Sequence, residues 1–163
     1  MRSNNVIGYI TEGFPGVMTF LEREISGLIQ HGWEVSVFAL HKESPVHYAA
    51  ELDLSLVDTH YCLNRNLLSF KMLQSHLRIL LDRPKIYFKS ILFLLRTYGT
   101  SWYSLSRAIY AFMKAGYFYA NAKLKGVEHL HAHFAGRTVD VAIFLSQFLN
   151  VGFSFTGHSN DVT

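Results

Sequence analysis

The segment from Thr156 to Asp161 combines an imidazole and a carboxylate in a glycine-containing loop. It reads TGHSND and follows a short apolar stretch, so that His158 and Asp161 lie close together in sequence. Such a pair can orient and polarise the hydroxyl groups of a sugar. Ser159, Asn160 and Asp161 are also favourable N-cap residues for a following helix. Asp161 can therefore cap a helix while His158 points into a cleft.

Three histidines, His129, His131 and His133, occupy alternate positions before this segment. On a strand this spacing projects all three rings to one face. A metal-dependent hydrolase is one interpretation, but no cysteine or acidic cluster completes a ligand set, and Asp140 is a helical turn further on. We expect core or boundary histidines with hydrogen-bonded ring nitrogens and no metal. His133, at the strand exit, is the best site candidate of the three.

The segment Thr11 to Val17 reads TEGFPGV and precedes a helical pattern. Gly13 and Gly16 have no third glycine and no lysine at the required spacing, which excludes a dinucleotide fingerprint and a P-loop. The free N–H groups and dipole of a helix N-terminus suit a phosphate or diphosphate. A tight turn that merely starts a helix is the alternative, and the residues of this segment alone favour it.

The elements around these segments indicate a βαβ unit. Val6–Ile10 is an apolar strand, and a helix follows in which Thr19 and Glu22 form a capping box. His31-Gly32 ends that helix, and Glu34–Leu40 alternates as a second strand. This order implies a parallel sheet with right-handed crossovers.

The rest of the chain continues the pattern. The spacing predicts two or three helices over 66–125 with breaks at 83–84 and 98–101, a strand over 127–132, a helix over 138–149 and a strand over 151–156. We therefore predict an α/β fold with a Rossmann-like parallel sheet and flanking helices. Ligands of such sheets bind at the carboxyl ends of the strands, where strand order reverses. The loops selected are 11–17, 133–137 and 157–161.

Composition excludes several classes of protein. The chain has 163 residues, half of them apolar, which fits one domain and excludes a disordered or collagen-like chain. Its single cysteine, Cys62, excludes an internal disulfide framework and favours an intracellular setting. No apolar run approaches the roughly 20 residues of a membrane span, and no export signal is recognisable.

Charge is distributed unevenly along the chain. Residues 1–64 carry three basic and eight acidic side chains, whereas residues 65–125 carry eleven basic side chains and one acidic side chain, Asp82. Apolar residues interleave with this cationic segment. The pattern predicts amphipathic helices that present positive charge to lipid headgroups or another polyanion. A solvated helix face is the equally weighted alternative.

Four segments in order resemble a known family. They are Phe14–Ile25 (FPGVMTFLEREI), His31–Val37 (HGWEVSV), His131–Ala135 (HAHFA) and Ser154–Asp161 (SFTGHSND). Together they resemble the N-terminal domain of family-4 retaining glycosyltransferases of the GT-B fold. The members that build colanic acid and other exopolysaccharides are the most similar in character.

The resemblance implies specific roles for residues of this chain. The family's N-terminal domain mainly binds the acceptor, and its C-terminal domain binds the nucleotide-sugar donor. Backbone amides of Gly16 and Val17 would face the donor diphosphate, and His158 would lie beside the transferred sugar as the catalytic group. The acceptor side would be lined by Glu12, Phe14, His133 and Arg137. Asp161 matches the family motif, and no protein nucleophile or cofactor is implied.

The resemblance also sets expectations for the chain as a whole. The family's donor-binding domain, with its paired glutamates, has no counterpart in the sequence, so residues 1–163 are expected to be a truncated acceptor-side domain that is inactive alone. The acceptor would be lipid-linked or a polysaccharide. The expected location is the cytoplasmic face of a membrane, contacted through residues 65–125, and no nucleic acid is expected as a partner. The alternative is a non-catalytic module that binds anions or anionic membranes.

Overall fold

The chain alternates between strands and helices. A computed structural model describes residues 5–15, 19–43, 52–62 and 69–157. Its strands are β1 (Val6–Phe14), β2 (Glu34–Lys42), β3 (Asp58–Tyr61), β4 (His129–His133) and β5 (Gly152–Thr156). Its helices are α1 (Thr19–Gln30), α2 (Phe70–Asp82), α3 (Pro84–Tyr98), α4 (Trp102–Lys125) and α5 (Arg137–Leu149), and a short 3-10 helix spans Leu54–Leu56.

The five strands form one parallel sheet in the order β3-β2-β1-β4-β5. From β1 the chain runs outward to β2 and β3, and then crosses back through α2, α3 and α4 to β4 and β5. This confirms the predicted α/β fold with a Rossmann-like parallel sheet and flanking helices. Strand order reverses between β1 and β4, so their carboxyl ends frame the position where open α/β sheets bind ligands.

Two apolar cores lie on opposite faces of the sheet. On one face α1 covers a cluster that includes Tyr9 and Val37, and on the other α4 and α5 cover a larger cluster that includes Ile10 and Phe38. Neighbouring residues of β1 belong to different cores because successive side chains of a strand point to opposite faces. The middle strand is therefore buried from both sides.

The segment predicted to be helical divides at both expected breaks. Pro84 begins α3, and Arg83 before it has a non-helical backbone, as the ring of a following proline requires. Gly99 follows the end of α3, and Gly126 closes α4 with a left-handed φ of 68°. None of the helices in the described ranges combines the length and apolarity needed to cross a membrane.

Strand β1 is longer than the sequence predicts. Residues 11–14 were expected in a loop, but they extend the ladder, with Thr11 opposite Ala39 and Phe14 opposite Lys42. Thr11 and Phe14 are buried, so the backbone at this end finds its hydrogen bonds in β2 rather than in water. The loop that leads towards α1 begins only after Phe14.

Strand β3 was not predicted. Its four residues, DTHY, carry no apolar alternation, and pairing with Ser36–Ala39 of β2 defines it. Two ends differ from the prediction, namely the carboxyl end of β1, which is extended, and the start of the helical segment. All other described ends of the predicted elements lie within two residues of their predicted positions. Gly32 ends the turn after α1 at a φ of 83°, as predicted. The side chain of Thr19 lies outside the described residues, so its capping box stays a prediction.

We expect alanine to have opposite effects at two helical glycines. A Cβ at Gly116 on α4 would overlap the buried His76 ring, so Gly116→Ala should lower the free energy of unfolding by about 1–3 kcal/mol. A Cβ at Gly27 on α1 meets no atom within 4 Å, so Gly27→Ala should raise it by about 0.5–1 kcal/mol. Urea unfolding of both variants measures this, and destabilisation of both to the same extent would contradict it.

Candidate functional site

A polar group occupies the edge of the sheet where strand order reverses. Glu12 lies near the carboxyl end of β1, His41 near the end of β2, and Arg137 is the first residue of α5, directly after the loop that follows β4. Glu12 and Arg137, which come from two of the segments predicted as loops, therefore meet here. Three separate elements supply one side chain each.

Glu12 links the other two side chains. Its Oε1 accepts a hydrogen bond from Arg137 Nε at 3.2 Å, and its Oε2 lies 3.9 Å from His41 Nε2. The Glu12 side chain is 27% exposed, whereas those of Arg137 and His41 are 53% exposed. Within the described ranges Glu12 Oε2 is buried and accepts no hydrogen bond. Glu12 thus combines a buried acceptor that lacks a donor in the described ranges with a partly exposed carboxylate, beside two groups that can donate to oxygen.

Helix α4 lies next to this edge of the sheet. Tyr110 lies within electrostatic range of Arg137 and Glu12, and its pKa is raised chiefly by burial, with Arg137 opposing the shift. Lys114 is buried one turn further along. Its Nζ donates to the carbonyl of Cys62 at 3.0 Å and lies 3.3 Å from the Cys62 sulfur. Lys114 therefore belongs to the interior and not to a cationic surface.

A second polar chain runs beneath α1. Tyr9 donates its hydroxyl hydrogen to Glu24 Oε1 at 2.6 Å, and His133 Nε2 donates to Glu24 Oε2 at 3.1 Å. Burial, followed by the hydrogen bond to Glu24, raises the pKa of Tyr9 far above its usual range. His133 was expected to be accessible at the strand exit, but its side chain is only 2% exposed because Phe20 and Tyr9 pack against it. Glu24 is the outermost member of this chain.

The three alternate histidines of β4 share one face, as predicted. Ser154 Oγ of β5 lies 2.9 Å from His129 Nε2 and 2.8 Å from His131 Nδ1, and Thr156 Oγ1 lies 3.2 Å from His131 Nε2. The expected hydrogen bonds are therefore present at His129 Nε2 and at both ring nitrogens of His131. The pKa of His131 is lowered by burial first, and then by His133 and His129, with Glu24 opposing.

One group in the described part of the chain has spacing that could hold a metal ion. A ligand atom from each of Glu24, His131 and His133 lies within 4.8 Å of the others. Asp140, which lies a helical turn beyond the histidines in sequence, accepts a hydrogen bond from Arg107 at 3.0 Å. Hydroxyl groups lie near both nitrogens of His131, and structural zinc sites use four ligands. A metal would have to displace a hydrogen bond and recruit a further ligand.

The remaining expected site residues divide into two groups. Phe14 is buried in the core beneath α1 with Leu21 and Ile25, so its side chain does not line the carboxyl edge. Gly16, Val17, His158 and Asp161 lie outside the described residues, and their roles stay predictions.

Sequence reasoning missed His41 and Glu24. His41 lies immediately beyond Leu40, where the strand was expected to end, so a longer strand would have placed it at the carboxyl edge. Glu24 is one of the two glutamates in the segment LEREI of α1, and no spacing rule connects it to histidines more than a hundred residues away. Only the packing of α1 on β1 and β4 brings it there.

Comparison with protein-family models, curated proteins and solved structures finds no match for this chain.

We expect His131 to make the fold sensitive to acid. Its pKa in the folded chain lies below the ordinary value of about 6.5, so the unfolded chain binds a proton more readily. The contribution is complete above that value and is lost as pH falls towards the folded pKa. His131→Gln should therefore reduce the dependence of unfolding free energy on pH below about 6.5. Guanidinium unfolding at a series of pH values measures this, and an unchanged dependence would refute it.

Proposed function

We propose that this chain is the acceptor-binding part of a retaining glycosyltransferase. The reaction would transfer a sugar from a nucleotide-sugar donor to a lipid-linked or polysaccharide acceptor. The observation that carries the proposal is the Glu12–Arg137 pair, with Glu12 Oε2 buried and without a hydrogen-bond donor in the described ranges. It lies at the reversal of strand order, where this class of sheet binds ligands.

Sugar recognition suits the chemistry of this pair. A saccharide hydroxyl can donate its hydrogen to Glu12 and accept one from Arg137 or His41. The rigid fork of an arginine also suits the oxygen atoms of a phosphate or diphosphate, which lipid-linked acceptors carry. The Tyr9–Glu24–His133 chain, whose Tyr9 and His133 are buried, would then hold α1 on β4 rather than touch the sugar.

The remaining roles follow from the family resemblance. We assign the donor diphosphate to the backbone amides of Gly16 and Val17, and the transferred sugar to His158. Retaining transfer of this type needs no protein nucleophile, and we assign none. Asp161 is assigned to the loop that carries His158.

We also propose that the reaction takes place at the cytoplasmic surface of an anionic membrane. A lipid-linked acceptor is confined to that surface. The cationic segment 65–125, with ten net positive charges, suits the negative potential of anionic headgroups. This location can be tested independently of the sugar site.

We expect the chain to bind an acceptor-type saccharide through Glu12 and Arg137. Isothermal titration should be performed with oligosaccharides and a water-soluble isoprenyl diphosphate saccharide. Arg137→Gln and Glu12→Gln should each weaken binding at least about tenfold, because a hydrogen bond to a charged group contributes about 1.5–3 kcal/mol. Arg96→Gln, an exposed arginine on α3, is the matched control and should bind as the parent chain does. Failure of every saccharide to bind, or parental affinity in both site variants, would contradict the proposal.

We expect His158→Ala to slow sugar transfer in a polypeptide that contains this chain together with a donor-binding domain. A hydrogen-bond donor aimed at the reacting sugar should contribute more than about 1.4 kcal/mol to the transition state, which corresponds to at least tenfold in rate. Release of nucleotide from the donor measures the rate, and circular dichroism checks that the fold is retained. Parental turnover would leave His158 as a loop residue without a catalytic role.

A further inference from the structure

Large apolar side chains are exposed along the outer sides of two consecutive helices. The residues concerned are Phe70, Leu73, Leu77 and Leu81 on α2, and Phe88, Leu92 and Leu95 on α3. Their spacing of three or four residues forms one continuous row on each helix. The opposite side of α2 is the one that packs inward, through Met72, His76 and Ile79. These seven residues are called the apolar rows below.

Exposed basic side chains accompany the apolar rows. Lys71 and Arg78 lie on α2, and Lys85, Lys89 and Arg96 lie on α3. At 100° per residue these positions fall beside the apolar rows and not opposite them. No ion pair engages these five side chains within the described ranges. Their charge is therefore available to an external anion.

The basic residues of α4, unlike those of α2 and α3, form ion pairs or are buried. Lys123 lies 2.7 Å from Asp82, Arg107 lies 3.0 Å from Asp140, and Lys125 is paired with Asp58. Lys114 is buried against Cys62. Asp82, the single acidic residue of the cationic segment, is thus neutralised by α4. Among residues 69–125, the positive charge without an ion-pair partner is concentrated on α2 and α3.

Two exposed aromatic side chains follow the apolar rows in the sequence. Trp102 is 81% exposed and Tyr103 is 71% exposed, and both lie at the start of α4, just after the turn that follows α3. Amphipathic aromatic rings favour the boundary between lipid headgroups and acyl chains. A row of leucine and phenylalanine flanked by lysine and arginine is the pattern of helices that lie in the plane of this boundary.

We propose that α2 and α3 dock on an anionic lipid bilayer, with the apolar rows and Trp102 inserted at the headgroup boundary. Charge complementarity selects this occupant, because in the part of the chain that the structure describes the five basic residues beside the apolar rows form no ion pair, and Asp82, which acts on Arg78, is itself paired with Lys123. This inference rests on the membrane location proposed above and uses no residue of the Glu12–Arg137 site. Loss of saccharide binding and loss of membrane binding are therefore separate results.

Two forces contribute to docking, and they respond differently to salt. The basic residues attract anionic headgroups, and salt screens this attraction. The apolar rows contribute through the hydrophobic effect, which salt does not screen. Salt should therefore weaken binding to anionic vesicles without abolishing it. This response distinguishes insertion from purely electrostatic adsorption.

The test is flotation of the full chain with vesicles of phosphatidylcholine, with and without phosphatidylglycerol. Binding should require phosphatidylglycerol. Leu77→Glu should reduce partitioning at least about tenfold, and Lys89→Gln should reduce it about fivefold. Leu56→Glu and Lys42→Gln are the matched controls, since Leu56 is 60% exposed and Leu77 is 55% exposed. Both controls should partition as the parent chain does.

Trp102 provides an independent readout of insertion. The chain has two tryptophans, so a Trp33→Phe background isolates Trp102. Its emission should shift to shorter wavelength with anionic vesicles and should be quenched by brominated lipid. Phe88→Gln in this background should reduce the shift, which covers the case in which Leu77→Glu fails to fold.

Several results would overturn the proposal. Equal binding to neutral and anionic vesicles, no binding to either, or Trp102 emission that brominated lipid does not quench would each do so. Parental partitioning of both Leu77→Glu and Phe88→Gln would also refute it. A dimer in sedimentation equilibrium that Leu77→Glu converts to a monomer, without vesicle binding, would show that the apolar rows join two copies of the chain.

Discussion

Pairing of β1 with strands on both sides is the constraint on which the rest of the structure depends. The ladders to β2 and β4 fix the backbone of β1, and they bury its two faces in different cores. Gly8 allows neighbouring side chains to pack closely against β1, because a Cβ at this position would press on Leu130, Phe38 and Val127. Everything at the carboxyl edge takes its position from this strand. Glu12 is held on it, and Arg137 reaches it only because β4 is its neighbour.

Alternate residues of β4 point to opposite faces of the sheet, so its apolar side chains lie on one face and its histidines on the other. Leu130 and Ala132 face the larger core, while His129, His131 and His133 face the side covered by α1. The same alternation in β5 aligns Ser154 and Thr156 with these histidines. A polar ladder thus crosses two strands on one face of the sheet. Its far end meets the carboxylate of Glu24 and the hydroxyl of Tyr9.

The periodicity of the apolar residues and the positions of proline and glycine predicted most of the fold. The apolar spacing of α1, the proline at position 84 and the glycine at position 32 act through local backbone geometry, so their effect can be predicted without knowledge of distant contacts. Strand β3 could not be predicted in this way, because pairing with β2 and not its own composition makes it a strand. The sequence also could not show which basic residues form ion pairs and which do not. That division depends on Asp58 and Asp140, which lie outside the cationic segment.

The candidate site was only partly predictable for the same reason. Glu12 and Arg137 could be proposed from their loops, but the hydrogen bond between them joins residues 125 positions apart. A contact of this kind has a larger entropic cost than a local contact, because a long loop must close before it is gained. A chain that had folded only its first βαβ unit would hold Glu12 without its guanidinium partner. The Glu12–Arg137 contact therefore requires β4 to have paired with β1, and during synthesis it must wait until Arg137 has left the ribosome.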